Sequence, residues 1–182
     1  MADLSLYFIA IIPPEPIRKY AQELKEYFAA NYNSKAALKS PPHITLHMPF
    51  KWKEEKEHKL IEALDLIPPQ NQPFELTLEN FGAFEPRVIY MGVEKSPELV
   101  YLYKSINEVM KKELHIFNAD YKNRGYHPHL TLAFRDLKKA VFPEAWKEFE
   151  NRSYQEKFTV DGFHLLKHNG RNWDEYIKIS FS

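Results

Sequence analysis

Apolar positions along this chain fall into two rhythms. Residues 4–12 (LSLYFIAII) are almost continuously apolar and read as a buried strand, stopped by Pro13-Pro14. From 15 to 32 the positions Ile17, Tyr20, Ala21, Leu24, Tyr27 and Phe28 recur at helical spacing, which predicts an amphipathic helix. Residues 31–42 form a basic loop, and 43–50 a second strand. Residues 53–67 read as a helix with charge along one side, 68–73 as a linker, and 74–84 as a strand.

The second half repeats this order. Residues 88–93 (VIYMGV) are a strand. Ser96-Pro97 opens a helix running to about residue 114, with Ser at the cap and Pro at the first helical position. Residues 118–126 are a loop and 129–134 a strand. The pattern predicts a helix over 136–151, interrupted near Pro143, and strands over 158–166 and 176–181. Each half spells strand, helix, strand, helix, strand. The expectation is one bilobal domain over 1–182 with approximate repeats at 1–85 and 86–182.

The third element of each half carries the same tetrapeptide type, His43-Ile44-Thr45-Leu46 and His129-Leu130-Thr131-Leu132, each preceded by proline. Alternate side chains of a strand share a face. His43, Thr45 and His47 are therefore expected on one side of the first strand, with Ile44, Leu46 and Met48 on the other. His127, His129 and Thr131 are expected opposite Leu130, Leu132 and Phe134. A single His-x-Thr-Leu arises easily by chance. A second copy in the equivalent slot of the same order of elements does not, and a hydrophobic core gains little from polar groups that need partners.

Composition narrows the chemistry. Lys+Arg and Asp+Glu both total 25, so no net field attracts long polyanions, and a small or single-stranded phosphate ligand fits better than duplex DNA. The chain has no cysteine, which removes disulfides, thiolate metal sites and a Cys nucleophile. Asp3 stands where a secretory signal needs basic residues, and no apolar run approaches the ~20 residues that span a bilayer. A cytoplasmic location without membrane association is expected.

The paired PPHITL and HPHLTL segments resemble the two signature motifs of the two-histidine (2H) phosphoesterase superfamily. Within it they are most similar to the 2'-5' RNA ligase-like group, which includes RNA 2',3'-cyclic phosphodiesterases. The resemblance spans essentially the whole chain. It implies an α+β fold of two pseudo-twofold lobes. Each lobe would hold an antiparallel sheet lining a central groove, with helices outside. It implies catalysis by His43, Thr45, His129 and Thr131, with His43 the proton donor and His129 the acceptor, although spacing alone does not order the two.

Hydrolysis of a 2',3'-cyclic phosphate requires one group to take a proton from water and another to give one to the departing ribose oxygen. Two imidazoles of ordinary pKa near 6.5 can do both without a metal or cofactor. Threonine hydroxyls can donate to the non-bridging oxygens. The expected substrates are RNA ends or small cyclic nucleotides, with reverse 2'-5' ligation possible, and the expected state is a monomer.

Secondary candidates for substrate contact are His47, His127 and Tyr126. Arg135 joins them, one position beyond the slot where related proteins commonly carry a basic residue and this chain has Phe134. Tyr126, Phe50 and Trp52 are candidate base-stacking residues, whereas the parity of Phe134 favours the core. Lys35, Lys39, Lys51, Lys122 and Arg124 are candidate RNA guides or solvated loop charges. His115, His164 and His168 show no pattern. Three alternatives stay open: a metal held by His43, His47, His127 and His129, a non-catalytic nucleotide-binding module, and another cyclic or 2',5'-linked phosphodiester as substrate.

Overall fold

A computed structural model describes residues 3–118 and 125–181 of the chain. The first apolar run forms β1 (Leu4–Ile11), with Tyr7, Ile9 and Ile11 on one face and Phe8 and Ala10 on the other. Helix α1 (Ile17–Tyr32) lays Ile17, Ala21, Leu24 and Phe28 against the first of these faces. After a 3-10 turn at Ala36–Lys39 come β2 (Ile44–Lys53), α2 (Glu57–Leu64), β3 (Phe74–Phe84) and β4 (Val88–Val93). Helix α3 (Pro97–Leu114), β5 (His129–Ala133), α4 (Phe142–Lys147), β6 (Gln155–Val160), β7 (Gly162–His168) and β8 (Trp173–Ser180) complete the order. Ser96 caps α3, its Oγ accepting from the Leu99 amide at 3.2 Å.

The strands form one antiparallel sheet in the order β6-β3-β4-β5-β2-β1-β7-β8. Its two four-stranded halves meet where Ile44 of β2 faces Leu130 of β5. Strand β6 ends this order and β7 stands second from its other end, yet only Asp161 separates them in sequence. The sheet must therefore curl until those regions approach. The halves of the sheet also mix the halves of the chain, because β3 pairs with β4 and β7 with β1.

The helices cover the face that carries Ile9, Ile44, Leu46, Leu130 and Leu132. Helix α1 packs over β5, and α3 over β2, so each motif strand is backed by the helix of the other half. The opposite face is left for the His/Thr side chains.

Two stretches depart from the sequence pattern. The helix expected over 136–151 shrinks to α4, because Arg135 turns the chain at φ 53 and the Asp136 carboxylate is engaged with residues 34–36. Pro143 lies in the first turn of α4, where its missing N–H costs nothing, so it begins the helix rather than interrupting it. The single strand expected over 158–166 is two strands, β6 and β7. At Gly162 the backbone passes so close to the Ile179 carbonyl that a Cβ would not fit.

Candidate active site

The pairing of Ile44 with Leu130 sets the site. In an antiparallel ladder it brings His43 level with Thr131, and Thr45 level with His129, all four on the face opposite the two apolar residues. Diagonal neighbours in such a ladder lie ~7–8 Å apart, so His43 and His129 come within reach of one another across the seam. All four side chains are half-buried. The row continues on both flanks, with Ala10 beside Thr45, and Tyr90 beside Thr131. Ala10 keeps the floor low beside Thr45, while Gly82 and Gly92 make room for the Tyr90 ring and the Glu79 carbonyl. A Cβ at Gly82 would run into the Tyr90 ring.

The two imidazoles are held alike. His43 Nδ1–H donates to the Pro41 carbonyl at 2.8 Å, and His129 Nδ1–H to the His127 carbonyl at 2.8 Å. This assignment of the proton to Nδ1 leaves Nε2 of each ring with its lone pair free. Each ring also rests on an aromatic from the neighbouring strand. His43 packs on Phe8 with centroids 4.8 Å apart, and His129 on Tyr90 at 5.1 Å. Phe84, an exposed ring, lies 5.1 Å from both His127 and His129. Trp173 stands edge-on to Phe8 at 4.7 Å, and His168 packs on Trp173.

Electrostatics favours the uncharged form of both rings. Burial pushes the His43 imidazole down to about 3, the Lys25 ammonium adding to the effect and the Pro41 carbonyl opposing it. Burial also lowers His129, with His127 as a further cause and the His127 carbonyl opposing. The groove therefore presents two neutral imidazoles at neutral pH.

A layer of polar groups fixes the motif strands from behind. Tyr126 donates its hydroxyl to the Thr45 carbonyl at 3.1 Å, Asn107 Nδ2 donates to the Leu46 carbonyl at 3.2 Å, and Asn118 Oδ1 accepts from the Met48 amide at 3.0 Å. The Asp136 carboxylate, just past β5, accepts from Ser34 Oγ at 3.0 Å and from the amides of Lys35 at 2.7 Å and Ala36 at 2.9 Å. These bonds tie each motif to the other half of the chain.

His47 is a correction to the strand reading. It pairs with Ile9, two extra residues enter β2 between Ile44 and Phe50, and its ring is turned into the core against Phe50. Pro49 has no amide to give the ladder, which suits a bulged strand. With His47 on the far face, the set His43, His47, His127 and His129 does not assemble. Among the described residues no three His, Cys, Asp or Glu side chains gather as a metal site would need.

The remaining candidates scatter. His127 lies on the groove face, exposed, its Nε2 3.2 Å from the Tyr90 hydroxyl. Tyr126 is stacked on Tyr103 and used as a strut, not a base platform. Phe50 stacks on Tyr7 in the core, and Trp52 donates to the Lys56 carbonyl. Arg135 lies beyond the strand end with its guanidinium over Phe134. Lys35, Lys39 and Lys51 are exposed. Lys122 and Arg124 lie outside the described residues. His115 ends α3 in the left-handed conformation, and His164 stands beside Ala10 on the groove side of β7.

Sequence reasoning missed Phe8, Tyr90, Phe84 and Trp173, whose runs show no alternation that would separate groove from core. It also missed Lys25. There a signal existed, since Lys25 falls at helical spacing between Ala21 and Phe28, inside the apolar stripe of α1.

Comparison with known proteins gives a consistent picture. A family model for the 2'-5' RNA ligase superfamily matches residues 13–172. A protein of Bacillus cytotoxicus provisionally named a phosphoesterase is 34% identical over 160 residues, covering 87% of this chain and 86% of its own. A similarly named protein of Bacillus mycoides is 32% identical over 160 residues. Among solved structures, Escherichia coli LigT complexed with 3'-AMP superposes with a TM-score of 0.70 at 22% identity, covering 99% of both chains. The protein TT0787 of Thermus thermophilus gives 0.69 at 20% identity, covering 97% of both.

Proposed function

Because the chain belongs to the 2'-5' RNA ligase superfamily, a family of two-histidine phosphoesterases, we propose that its groove hydrolyses 2',3'-cyclic phosphate ends of RNA or nucleotides to 2'-phosphates. The observation that carries this reading is the crossed pair across the β2–β5 seam, His43 level with Thr131 and Thr45 level with His129. The solved LigT complexes with 3'-AMP, ATP and NADP+ support a nucleotide-type ligand.

In this reading the phosphate sits between the two Nε2 atoms. One imidazole takes a proton from water as its oxygen bonds to phosphorus. The bond from phosphorus to the ribose O3' breaks, and the other imidazole delivers a proton to that oxygen, leaving the phosphate on O2'. Thr45 and Thr131 donate to the non-bridging oxygens, where charge builds in the transition state. The carbonyls of Pro41 and His127 stabilise whichever ring becomes an imidazolium, through its Nδ1–H. With a 5'-hydroxyl in place of water, the same steps join RNA ends through a 2'-5' bond. Side chains supply both proton transfers, and the reading includes a cytoplasmic monomer that works without a cofactor.

The test is a screen of 2',3'-cyclic nucleotides, cyclic-phosphate-ended oligonucleotides and 2'-5'-linked oligonucleotides, in buffer containing EDTA, with products identified as 2'- or 3'-phosphates. The expected result is a 2'-phosphate product and loss of turnover by about 10³-fold or more in His43→Ala and His129→Ala. Undiminished turnover by either variant overturns the assignment.

A further inference from the structure

Helix α1 carries an anomaly on its buried side. Lys25 is 1% exposed, and among the described residues no carboxylate pairs with it. Its ammonium instead donates to two carbonyls, those of Ala37 and Ser40, each at 3.0 Å. Burying an ammonium without a counter-charge is expensive, and a helix stripe of Ile17, Ala21, Leu24 and Phe28 would accept methionine or leucine at lower cost. A purely structural need would be met by a neutral donor.

What the ammonium holds is the approach to the first motif. Ala37 lies in the 3-10 turn, and Ser40 immediately precedes Pro41, whose carbonyl receives the Nδ1–H of His43. Among the described residues no buried cation bears on His129, which feels its strand neighbour His127.

We propose that Lys25 is a positioning residue for His43: it clamps the 37–40 segment, and its buried positive charge keeps that imidazole in the neutral, proton-accepting state. This rests on the proposed use of both rings in proton transfer.

Among the described residues, the groups bearing on His43 are Lys25 from α1 and His129 from β5. Those bearing on Lys25 are Arg18 of its own helix, itself ion-paired to Glu175, and His43. Phe8, packed on His43 from β1, carries no titrating group. Burial brings Lys25 itself down to about 7, with Arg18 a further cause, so on acidification Lys25 takes its proton before His43 does.

The experiment is an NMR titration of protein labelled at histidine Cε1, with His43 identified by its loss in His43→Gln. In the wild-type protein His43 is expected to stay neutral to about pH 5, well below the ordinary histidine range. In Lys25→Met its midpoint should rise by about one unit or more, while that of His129 moves less. Lys25→Gln, which keeps a donor for the carbonyls without the charge, should give the same rise. An ordinary His43 midpoint in the wild-type protein overturns the proposal, even if neither variant folds. So does an unchanged midpoint in a folded variant. This readout does not depend on turnover, so failure of the cyclic-phosphate reading and failure of the Lys25 proposal can be told apart. Where turnover is measured, Lys25→Met should lower kcat about tenfold with KM little changed, and should move the acid limb of kcat/KM upward.

Discussion

His43 lies level with Thr131 across the β2–β5 seam, so the hydroxyl next to each imidazole comes from the other motif as much as from its own. The four groups form a crossed square rather than two separate dyads. Replacing either threonine by valine keeps the shape and removes only the donor. Thr131→Val and Thr45→Val are each expected to lower kcat by about 10²-fold, the usual loss for one donor to transition-state charge. Thermal unfolding should change little, since neither hydroxyl is fully buried. A fall in stability without a fall in kcat would assign the hydroxyls to packing.

The lowered pKa values of His43 and His129 fix the sign of the pH response. The base is lost only when pH falls through its depressed pKa, so the acid limb of kcat/KM should lie below the ordinary value of ~6.5. The acid must gain its proton when an anionic phosphate enters, because nearby negative charge favours the imidazolium. Binding of 2'-AMP or inorganic phosphate near pH 7 should therefore take up protons. Calorimetry in buffers of different ionisation enthalpy measures this directly.

The same groups bear on folding. The unfolded chain binds protons to His43 near 6.5, whereas the folded chain resists them down to about 3. The stability this contributes is full above the unfolded value and is lost as pH falls through that window. Lys25 acts in the same direction over a higher range, since its folded value of about 7 lies below the ordinary lysine value. Urea midpoints should therefore rise from about pH 4 to pH 8, and Lys25→Met should flatten the upper part of that rise.

His47 follows His43 closely in sequence yet is turned into the core against Phe50. It should contribute to stability and not to chemistry. His47→Leu is expected to leave kcat within about twofold. Its effect on unfolding has two parts, an imidazole Nε2 with no partner among the described residues and a hydrogen bond from Nδ1 to the Met48 carbonyl. A large loss of kcat with unchanged stability would return His47 to the groove.

The contrast between His43 and His47 marks how far the sequence could be read. Periodicity alone located the strand ends at Phe74 and Phe84, and at Val88 and Val93, because those segments are bounded by proline and charge. The motif repeat singled out His43, Thr45, His129 and Thr131, whose faces follow from strict alternation. Alternation holds only while the ladder is regular. The first of two extra residues in β2 reverses the face of His47, and the only trace of them in the sequence is Pro49. The aromatic supports were illegible for a different reason. Phe8 sits within an unbroken apolar run, and only the sheet order reveals that it faces His43 and not the helices.

Asp136 ties the two motifs together outside the strands themselves. Its carboxylate leaves the end of β5 and accepts three hydrogen bonds from Ser34, Lys35 and Ala36, the start of the segment that Lys25 clamps before His43. Ser34 is fully buried, so removing the acceptor strands its hydroxyl, whereas the Lys35 and Ala36 amides can turn to water. Asp136→Ala is expected to cost about 1–3 kcal/mol of unfolding free energy, the usual loss for one buried group left unsatisfied. Asp136→Asn keeps one acceptor and should cost less. Both variants should also lower kcat, because the seam that aligns His43 with Thr131 depends on β5 and the 34–40 segment holding a fixed separation. Chemical denaturation and steady-state kinetics on the same preparations check the two effects together. A destabilised Asp136→Ala with unaltered kcat would mean that the Ile44–Leu130 pairing sets the catalytic geometry unaided.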